Sequence, residues 1–309
     1  MSIGAQWRGQ AGFFEIWFLV VFEPVRRRAW WLRYTTWAPV VGVPRATMWA
    51  AVFMGDAAPW VRKTFHPAIA SSAAIGDNRF GAHGASGHVD ELSWDLAFDA
   101  APQQHGPSWL ARLPAPTRVQ HLADGVPVTG WIARDGVREE LRDARVVAKH
   151  LWGTRRVEEL YWVCCPGRFE ATQVRLRRDR GPRLTTVWLD TGDGVSGWDA
   201  PWDLLRSRVV PDGPGVLRVQ ASSPTRRLSA VARCDPATLA GWAYRDPAGW
   251  DVHVAQSDVA TCAIELTRRP HPLAPWGTPL RFEVAQAAVE FHHPDPLPGV
   301  RYLAWGETR

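Results

Sequence analysis

The chain has 309 residues, of which 46% are apolar and 19 are tryptophan, and this composition excludes a disordered protein. The length is sufficient for two domains of about 150 residues each. The formal net charge is +5, but nearly all basic residues are arginines in short, scattered clusters, which excludes the continuous basic stripe of a nucleic-acid-binding protein. The longest apolar run, residues 16–22, is too short to span a bilayer and no leader pattern precedes it, so we expect a cytoplasmic protein without a transmembrane segment.

The first predicted elements are extended segments rich in β-forming residues. Residues 13–22 and 29–37 are separated by a proline-containing turn and predict a β-hairpin. Residues 46–53 and 60–65 predict two further strands with short connections. The N-terminal part therefore begins as an antiparallel meander.

A glycine-rich stretch, residues 68–87, interrupts this pattern. It lacks the Gly-Lys-Ser/Thr ending of a phosphate loop, and residues 92–98 after it alternate like a strand and not like a helix. His83 and His88 lie in or beside it, but no cluster of cysteine, histidine or carboxylate residues with ligand spacing accompanies them. The sequence predicts a closely packed or flexible β-connection and no metal site.

A proline-rich segment, residues 102–116, follows the next strand. It predicts a linker or surface loop around one short turn at residues 109–112. Residues 125–132 and 139–149 predict two more strands, which lead to the midpoint of the chain.

The midpoint carries the most unusual combination of side chains, in what reads as a strand. Five residues of one parity would share one face if no bulge intervenes: His150, Trp152, Arg156, Glu158 and Trp162. Gly153 is the position where a bulge would reverse that parity. An imidazole, a carboxylate that orients it and an indole that stabilises a cation are suited to acid–base chemistry. A half-buried strand with a satisfied histidine, an Arg–Glu pair and core tryptophans would give the same pattern, so packing remains the alternative.

The second half repeats the β-pattern with few convincing helices. Its predicted strands are residues 169–177, 184–189, 216–221, 228–234, 241–244, 250–256, 261–267 and 287–291. Short strands at regular spacing with turn signals between them predict an all-β fold of sandwiches or barrels. Barrels of about eight strands commonly hold one small apolar ligand.

The cysteines are Cys164, Cys165, Cys234 and Cys262. Adjacent cysteines in a strand point to opposite faces, and the chain has no Cys-x-x-Cys motif. Reduced, at least partly buried thiols are expected.

Several aromatic segments occur in an order typical of one family: residues 18–34, 49–53, 75–76, 93–96 and the His-x-Trp-Gly motif at 150–153. Over most of its length the chain resembles the hydroxyneurosporene synthase (carotenoid hydratase) and tocopherol cyclase-like group of AttH-type lipocalin-like proteins. The most specific match is His150, Trp152 and Gly153, with Glu158 where many members carry an acidic residue before the next aromatic strand.

The resemblance implies two lipocalin-like β-barrel or β-sandwich domains packed against each other, residues 1–148 and 149–309. It implies an apolar small molecule held at their interface or at a barrel mouth, and hydration or cyclisation of an isoprenoid or polyketide-like substrate without a cofactor or metal. Transient contact with a membrane surface would collect such a substrate. The candidate catalytic residues are His150 and Glu158, either of which could deliver the proton. The candidate substrate-binding residues are Trp152, Arg156, Trp162, Trp94 and Trp31.

The chemistry agrees with this expectation, because protonating an alkene needs a positioned acid and the resulting cation needs aromatic faces and a dry pocket. The alternative is a non-catalytic carrier or sensor of the same ligand class, in which the polar residues only orient the ligand or close the domain interface. An enzyme should bring an acid with a perturbed pKa into its cavity, whereas a carrier cavity can be wholly apolar.

Overall fold

The computed structural model describes residues 4–103, 105–177 and 181–303, and most of their regular structure is β-strand. The strands of the first half are β1 Phe13–Glu23, β2 Arg28–Ala38, β3 Arg45–Met54, β4 Trp60–Pro67, β5 Arg79–Gly81, β6 Gly84–Val89, β7 Leu92–Ala97, β8 Thr117–Pro127, β9 Thr129–Arg134, β10 Val137–Glu140 and β11 Arg145–Gly153. Those of the second half are β12 Glu159–Cys165, β13 Phe169–Arg175, β14 Leu184–Asp190, β15 Val195–Gly197, β16 Arg208–Pro211, β17 Val216–Ser222, β18 Arg226–Arg233, β19 Ala240–Arg245, β20 Asp251–Arg268 and β21 Leu280–His293. The described helices are α1 Pro201–Arg206 and the 3₁₀ turns Pro24–Arg26, Leu110–Arg112 and Pro236–Thr238. The prediction of an all-β fold is confirmed.

The first sheet has the antiparallel strand order β4-β3-β2-β1-β11-β8, and it contains the predicted hairpin and meander. Both of its faces are buried, which explains the nearly continuous apolar runs of β1 to β3. Along β1, Trp17 and Leu19 face a first core, whereas Val20 and Phe22 face a core on the other side. A side chain on this sheet therefore lies in one of two interiors, and its parity decides which.

A second sheet, ordered β10-β9-β7-β6-β5, covers the inner side of the first sheet. Trp94 and Ile132 from this sheet belong to the same first core as Trp17. The predicted strands 125–132 and 139–149 each divide into two, because the chain leaves the first sheet after β8 and returns to it at β11.

The third sheet holds every strand of the second half, in the order β15-β14-β13-β12-β21-β20-β18-β17-β16, with β19 paired to β20. The strands predicted at 250–256 and 261–267 are one long strand, β20. Register shifts between Ser257 and Cys262 bend it, so that its first part pairs with β19 and its second part with β18. The bend curls the sheet around a second core.

A central core joins the outer face of the first sheet to the third sheet. Trp31 of β2 stacks on Trp242 of β19 at a ring-centroid distance of 4.9 Å, and Trp49 lies 6.3 Å from Trp242. The chain passes from the first to the third sheet through residues 154–158, so the predicted boundary at 148/149 falls inside β11. Buried aromatic surface therefore holds the two halves together.

All four cysteines are free, and Cys164, Cys165 and Cys262 are buried, as expected.

Across the described residues, no helix has the length and apolarity needed to cross a membrane.

Candidate functional site

The midpoint motif does not form the single strand that its parity suggested. β11 ends at Gly153, where a Cβ atom would collide with the carbonyl of Pro116, and β12 begins at Glu159 in a different sheet. The prediction of one continuous strand is therefore wrong. Arg156 and Glu158 lie in the connection between the sheets, and only His150 and Trp152 share a strand face.

His150 faces the inner side of the first sheet, where it is fully buried. Its Nε2 lies 2.7 Å from Glu15 Oε1, and its ring stacks on Trp17 at 4.4 Å and packs against Trp152 at 4.5 Å. The Glu15 carboxylate also accepts a hydrogen bond of 2.9 Å from the backbone N–H of Trp7. The carboxylate partner of His150 is thus Glu15, which the sequence analysis missed. Its signal was a glutamate inside the otherwise apolar run of residues 13–22 in β1.

The other predicted polar residues hold the connection between the sheets. Arg155 Nη2 donates to Glu158 Oε1 at 2.5 Å. The backbone N–H of Arg156 donates to Asp246 Oδ2 at 2.7 Å, and its guanidinium lies 4.6 Å from the Phe14 ring centroid. The roles predicted for Arg156 and Glu158 in ligand chemistry stay predictions.

The remaining predicted tryptophans occupy two interiors. Trp94 lies in the first core, with His150 on the same side of the first sheet. Trp31 and Trp162 lie in the central core, where Trp162 makes an edge contact with Phe18 at 6.1 Å. The structure therefore separates the candidate residues into a group on the inner face, a group in the central core and a group in the connection.

Lys149 precedes His150 in β11 and so faces the third sheet instead of the first core. Its Nζ donates to Glu170 Oε1 of β13 at 2.7 Å and lies 4.6 Å from the Trp162 ring centroid. The side chains of Lys149 and Glu170 are only 6% and 5% exposed. This ion pair crosses from the first sheet to the third with little water around it.

Two residues of β8 extend this ion pair. His121 Nδ1 lies 3.9 Å from Glu170 Oε2, and Asp124 lies beside it on the same face. Residues three apart normally point to opposite faces of a strand, but the register of β8 against β11 shifts between Ala148 and Lys149 and leaves one extra residue in β8. The bulge is what brings His121 and Asp124 together.

The proline-rich loop adds a further histidine, His105, to this group of ionisable residues. It crosses onto the third sheet, where the His105 ring stacks on Trp188 of β14 at 4.7 Å and lies 4.6 Å from the His121 ring. His105 Nε2 lies 3.7 Å from Asp124 Oδ2. Farther along the loop, Trp109 Nε1 donates to the Asp199 carbonyl at 2.9 Å. We name the resulting group the interface cluster: His105, His121, Asp124, Lys149 and Glu170.

The carboxyl groups of the interface cluster differ widely in acidity. Burial, reinforced by the negative charge of Glu170, raises the pKa of Asp124 to about 7. Burial is the largest effect on Glu170 and acts to raise its pKa, but the charge and hydrogen bond of Lys149, together with His121 and His105, outweigh burial and the pKa falls to about 2. Near neutral pH, Asp124 is close to half protonated while Glu170 is ionised.

The histidines of the cluster are neutral at the same pH. Burial lowers the pKa of His121 to about 3, with Lys149 adding to the effect, and burial lowers the pKa of His105. A carboxylic acid, a carboxylate and two neutral imidazoles in one buried group can donate, accept and relay protons.

The cluster also presents polar atoms that have no hydrogen-bond partner within the described residues: His121 Nδ1, Asp124 Oδ2 and Glu170 Oε2. The separations beside them, 3.7 Å from Asp124 Oδ2 to His105 Nε2 and 3.9 Å from His121 Nδ1 to Glu170 Oε2, are too long for direct hydrogen bonds. The side chains of His105 and His121 are 18% and 14% exposed, so this end of the cluster reaches the surface.

Two depressions elsewhere are not lined by these residues. One, of about 70 Å³, lies among Arg28, Trp30 and Glu139, and the other is an open groove of about 400 Å³ between Arg79 and Leu96. Neither is lined by His150, Trp152 or Glu158, whose shared cavity stays a prediction. Among the described residues, no group of three or more His, Cys, Asp or Glu side chains is arranged to hold a metal ion.

Comparison with known proteins establishes the fold more firmly than the family. No protein-family model matches the chain. It is 25% identical over 279 residues to each of two uncharacterized Mycobacterium tuberculosis proteins, Rv0493c of strain H37Rv and MT0513 of strain CDC 1551. Each match covers 85% of this chain and 84% of the relative.

Solved structures of similar fold cover nearly the whole chain. Kievitone hydratase from Nectria haematococca superposes with a TM-score of 0.53 at 10% identity, over 90% of this chain and 88% of that one. CghA with Sch210972 superposes with a TM-score of 0.58 at 11% identity, over 91% and 88%. At these identities the likeness concerns the backbone alone. The chain has the lipocalin-like all-β fold that these proteins share.

Proposed function

We propose that the protein is a cofactor-independent enzyme that hydrates or cyclises an apolar isoprenoid or polyketide-like molecule bound between its two halves. The observation that carries the proposal is the interface cluster, in which Asp124 has a pKa raised to about 7 while Glu170 has a pKa lowered to about 2. Two buried carboxyl groups with separated pKa values are characteristic of acid–base sites. The shared fold with kievitone hydratase is compatible with this proposal.

Asp124 is the proposed proton donor. In a hydration, its carboxyl proton adds to one carbon of a C=C bond, and the oxygen of a water molecule bonds to the carbon that becomes cationic. The second proton of that water returns to the Asp124 carboxylate, so the enzyme ends unchanged and the product has gained one water. In a cyclisation, an internal nucleophile of the substrate takes the place of water, and the cyclised cation then loses a proton to the Asp124 carboxylate, so the product is an isomer of the substrate.

The walls of the cluster suit a cationic intermediate. The Trp188 ring packs on His105, and the Trp162 ring already lies 4.6 Å from the Lys149 ammonium, so both indoles border the charged groups. Aromatic faces and the Glu170 carboxylate would stabilise a passing positive charge where water is scarce. Of the predicted substrate-binding residues, Trp162 is therefore the one placed best for this role.

Lys149 has a supporting role in this proposal. Lys149 is a positioning residue, because its hydrogen bond fixes the Glu170 carboxylate and keeps it ionised. The neutral His105 imidazole borders the exposed end of the cluster, where its Nε2 lies 3.1 Å from the acceptor Gln103 Oε1 and 3.7 Å from Asp124 Oδ2.

The predicted acids His150 and Glu158 are less well placed for this chemistry. The His150 ring is packed by Trp17 and Trp152, and its Nε2 is held by Glu15. Glu158 accepts from Arg155 in the connection between the sheets. We propose that His150 positions the N-terminal segment through Glu15, and that Asp124 replaces both as the acid.

The test uses acyclic isoprenoid alkenes, such as squalene and geranylgeraniol, incubated with the protein in heavy-oxygen water and analysed by mass spectrometry. The wild type should convert at least one alkene to a product that has gained one labelled water or to a cyclised isomer. Asp124→Asn should bind the same compound with unchanged affinity and form no product.

Binding without turnover by the wild type would identify a carrier or sensor, the alternative function. Turnover by Asp124→Asn at the wild-type rate would remove Asp124 as the acid.

A further inference from the structure

The turn between β2 and β3 exposes an unusual run of apolar side chains. Val40, Val41 and Val43 are 60%, 89% and 77% exposed, with only Gly42 between the last two. Buried Ala38 precedes the turn in β2, so the run projects beyond the end of the first sheet. We name residues 39–44 the valine tip.

The base of the valine tip is fixed to both halves of the protein. The backbone N–H of Val40 donates to the Pro247 carbonyl at 2.9 Å, and that of Gly12 donates to the Pro39 carbonyl at 3.2 Å. Gly42 has φ +128°, a conformation that favours glycine, and packs near the Pro39 ring. The exposed valines therefore sit on an anchored turn.

Consecutive exposed apolar residues are uncommon on a protein that is otherwise well packed. Such a patch is usually an interaction site, because leaving it in water gives up the free energy of burying it. The tip is convex and only a few residues long, whereas a stable protein interface buries about 800 Å² and 20 to 30 residues on each partner. A lipid surface accepts a small convex wedge without needing a complementary shape.

The charges around the tip select the kind of lipid. Arg45 follows the tip directly and is exposed, and exposed Arg8 lies on the N-terminal segment that contacts Pro39 through Gly12. Residues 38–45 contain no acidic side chain, and the whole chain has a formal net charge of +5. Arginines beside an apolar tip favour anionic headgroups over neutral ones.

We infer that the valine tip inserts into the headgroup region of an anionic membrane and docks the protein there reversibly. Pro247, which anchors the tip, follows Asp246, whose carboxylate accepts from the Arg156 backbone in the connection between the sheets. Docking by the tip thus places the seam between the two halves near the lipid surface. The inference concerns binding and does not depend on the proposed reaction.

The test is co-sedimentation of the full chain with phosphatidylcholine vesicles, with and without phosphatidylglycerol. The wild type should sediment with the mixed vesicles and much less with phosphatidylcholine alone. Val41→Asp combined with Val43→Asp should lower the apparent affinity at least about tenfold. Leu273→Asp combined with Val195→Asp is the matched control, because these residues are 93% and 70% exposed elsewhere in the chain and the two substitutions add the same charge.

Failure of the wild type to bind mixed vesicles, or equal losses in the control and the tip variant, would overturn the inference. Light scattering is measured alongside, and a dimer that disappears in the tip variant would assign the tip to a second copy of the chain and equally overturn it. Circular dichroism confirms that each variant is folded.

A fluorescence measurement tests insertion directly. In a Cys234→Ser background, which removes the partly exposed native thiol, Val41→Cys labelled with an environment-sensitive dye should shift to shorter wavelength on mixed vesicles, whereas labelled Leu273→Cys should not. No shift at Val41 would contradict insertion. Because both readouts report binding, they leave the assignment of Asp124 to be decided by its own experiment.

Discussion

Lys149 Nζ lies 2.7 Å from Glu170 Oε1, and this ion pair joins the first sheet to the third in surroundings that are almost dry. The neighbouring residue His150 points to the opposite face and pairs with Glu15 instead. Two adjacent residues of β11 thus each pair with a buried carboxylate. The His150–Glu15 pair lies within the N-terminal half, and the Lys149–Glu170 pair joins the two halves. The second pair lies beside His121 and Asp124, whose pKa values are strongly shifted.

Removing one partner of the Lys149–Glu170 pair should lower the free energy of unfolding more than replacing both partners by apolar residues. Glu170→Gln should lower the free energy of unfolding by about 3 to 5 kcal/mol, because it leaves the Lys149 ammonium buried without its counter-charge. Lys149→Met combined with Glu170→Met should cost less than Glu170→Gln alone. Urea denaturation of Glu170→Gln, Lys149→Met, Glu170→Met and the double Met variant measures these values. A double variant as unstable as the sum of the single ones would show that the two side chains are not coupled.

Asp124 should make stability fall as the pH rises. Its pKa is about 7 in the folded chain against 3.8 ordinarily, so between these values the folded state binds more protons than the unfolded state. The stabilisation from its bound proton is complete below about pH 4 and is lost as the pH rises through 7. Asp258, whose pKa burial raises to about 8, contributes with the same sign.

His105 and His121, whose pKa values burial lowers, act with the opposite sign below about pH 6.5. Asp124→Asn should therefore shift the change of stability between pH 5 and 8 in the positive direction relative to the wild type. Thermal unfolding across this range in the wild type and the variant provides the measurement. A slope that Asp124→Asn leaves unchanged would place its pKa near the ordinary value and remove the main support for its role as an acid.

Glu15 and His150 should matter chiefly for the N-terminal segment. Glu15→Gln weakens the acceptor for the Trp7 N–H and the partner of His150, and we expect a loss of about 1 to 3 kcal/mol. Amide hydrogen exchange should accelerate selectively in residues 4–12. His150→Gln should show the same pattern while turnover, measured on any substrate found, continues. Loss of turnover in His150→Gln with unchanged exchange would restore His150 as the catalytic residue that the sequence suggested.

Trp31 and Trp152 should differ in their contribution to stability. Trp31 is buried in the central core and stacks on Trp242, so Trp31→Ala should cost about 3 to 5 kcal/mol. Trp152 is only half-buried beside His150, and Trp152→Ala should cost clearly less. Chemical denaturation of the two variants under identical conditions compares them. An equal or larger loss for Trp152 would mean that it packs more closely than its exposure indicates.

The sequence alone was sufficient for the all-β fold and for the N-terminal meander. Strand and turn preferences are local, so the β-forming segments within residues 13–65 and the turns between them specify hairpins wherever the rest of the chain lies. The same local reasoning failed at residues 149–165, because it assigned one strand parity to residues that belong to two strands. The connection between those strands passes from the first sheet to the third. Gly153 marked that point, but whether it made a bulge or ended the strand depended on the approach of Pro116.

The sequence by itself determined that His150 and Trp152 would share one face of a strand among aromatic segments, since strand parity is a local property. Only the tertiary structure decided which carboxylate His150 meets, because Glu15 is 135 residues away and reaches it through strand pairing. The interface cluster lay further beyond sequence reasoning. Its members come from a loop, from β8, from β11 and from β13 of the other half, and they meet only when the sheets pack. Burial in that packed interface is the main cause of their shifted pKa values.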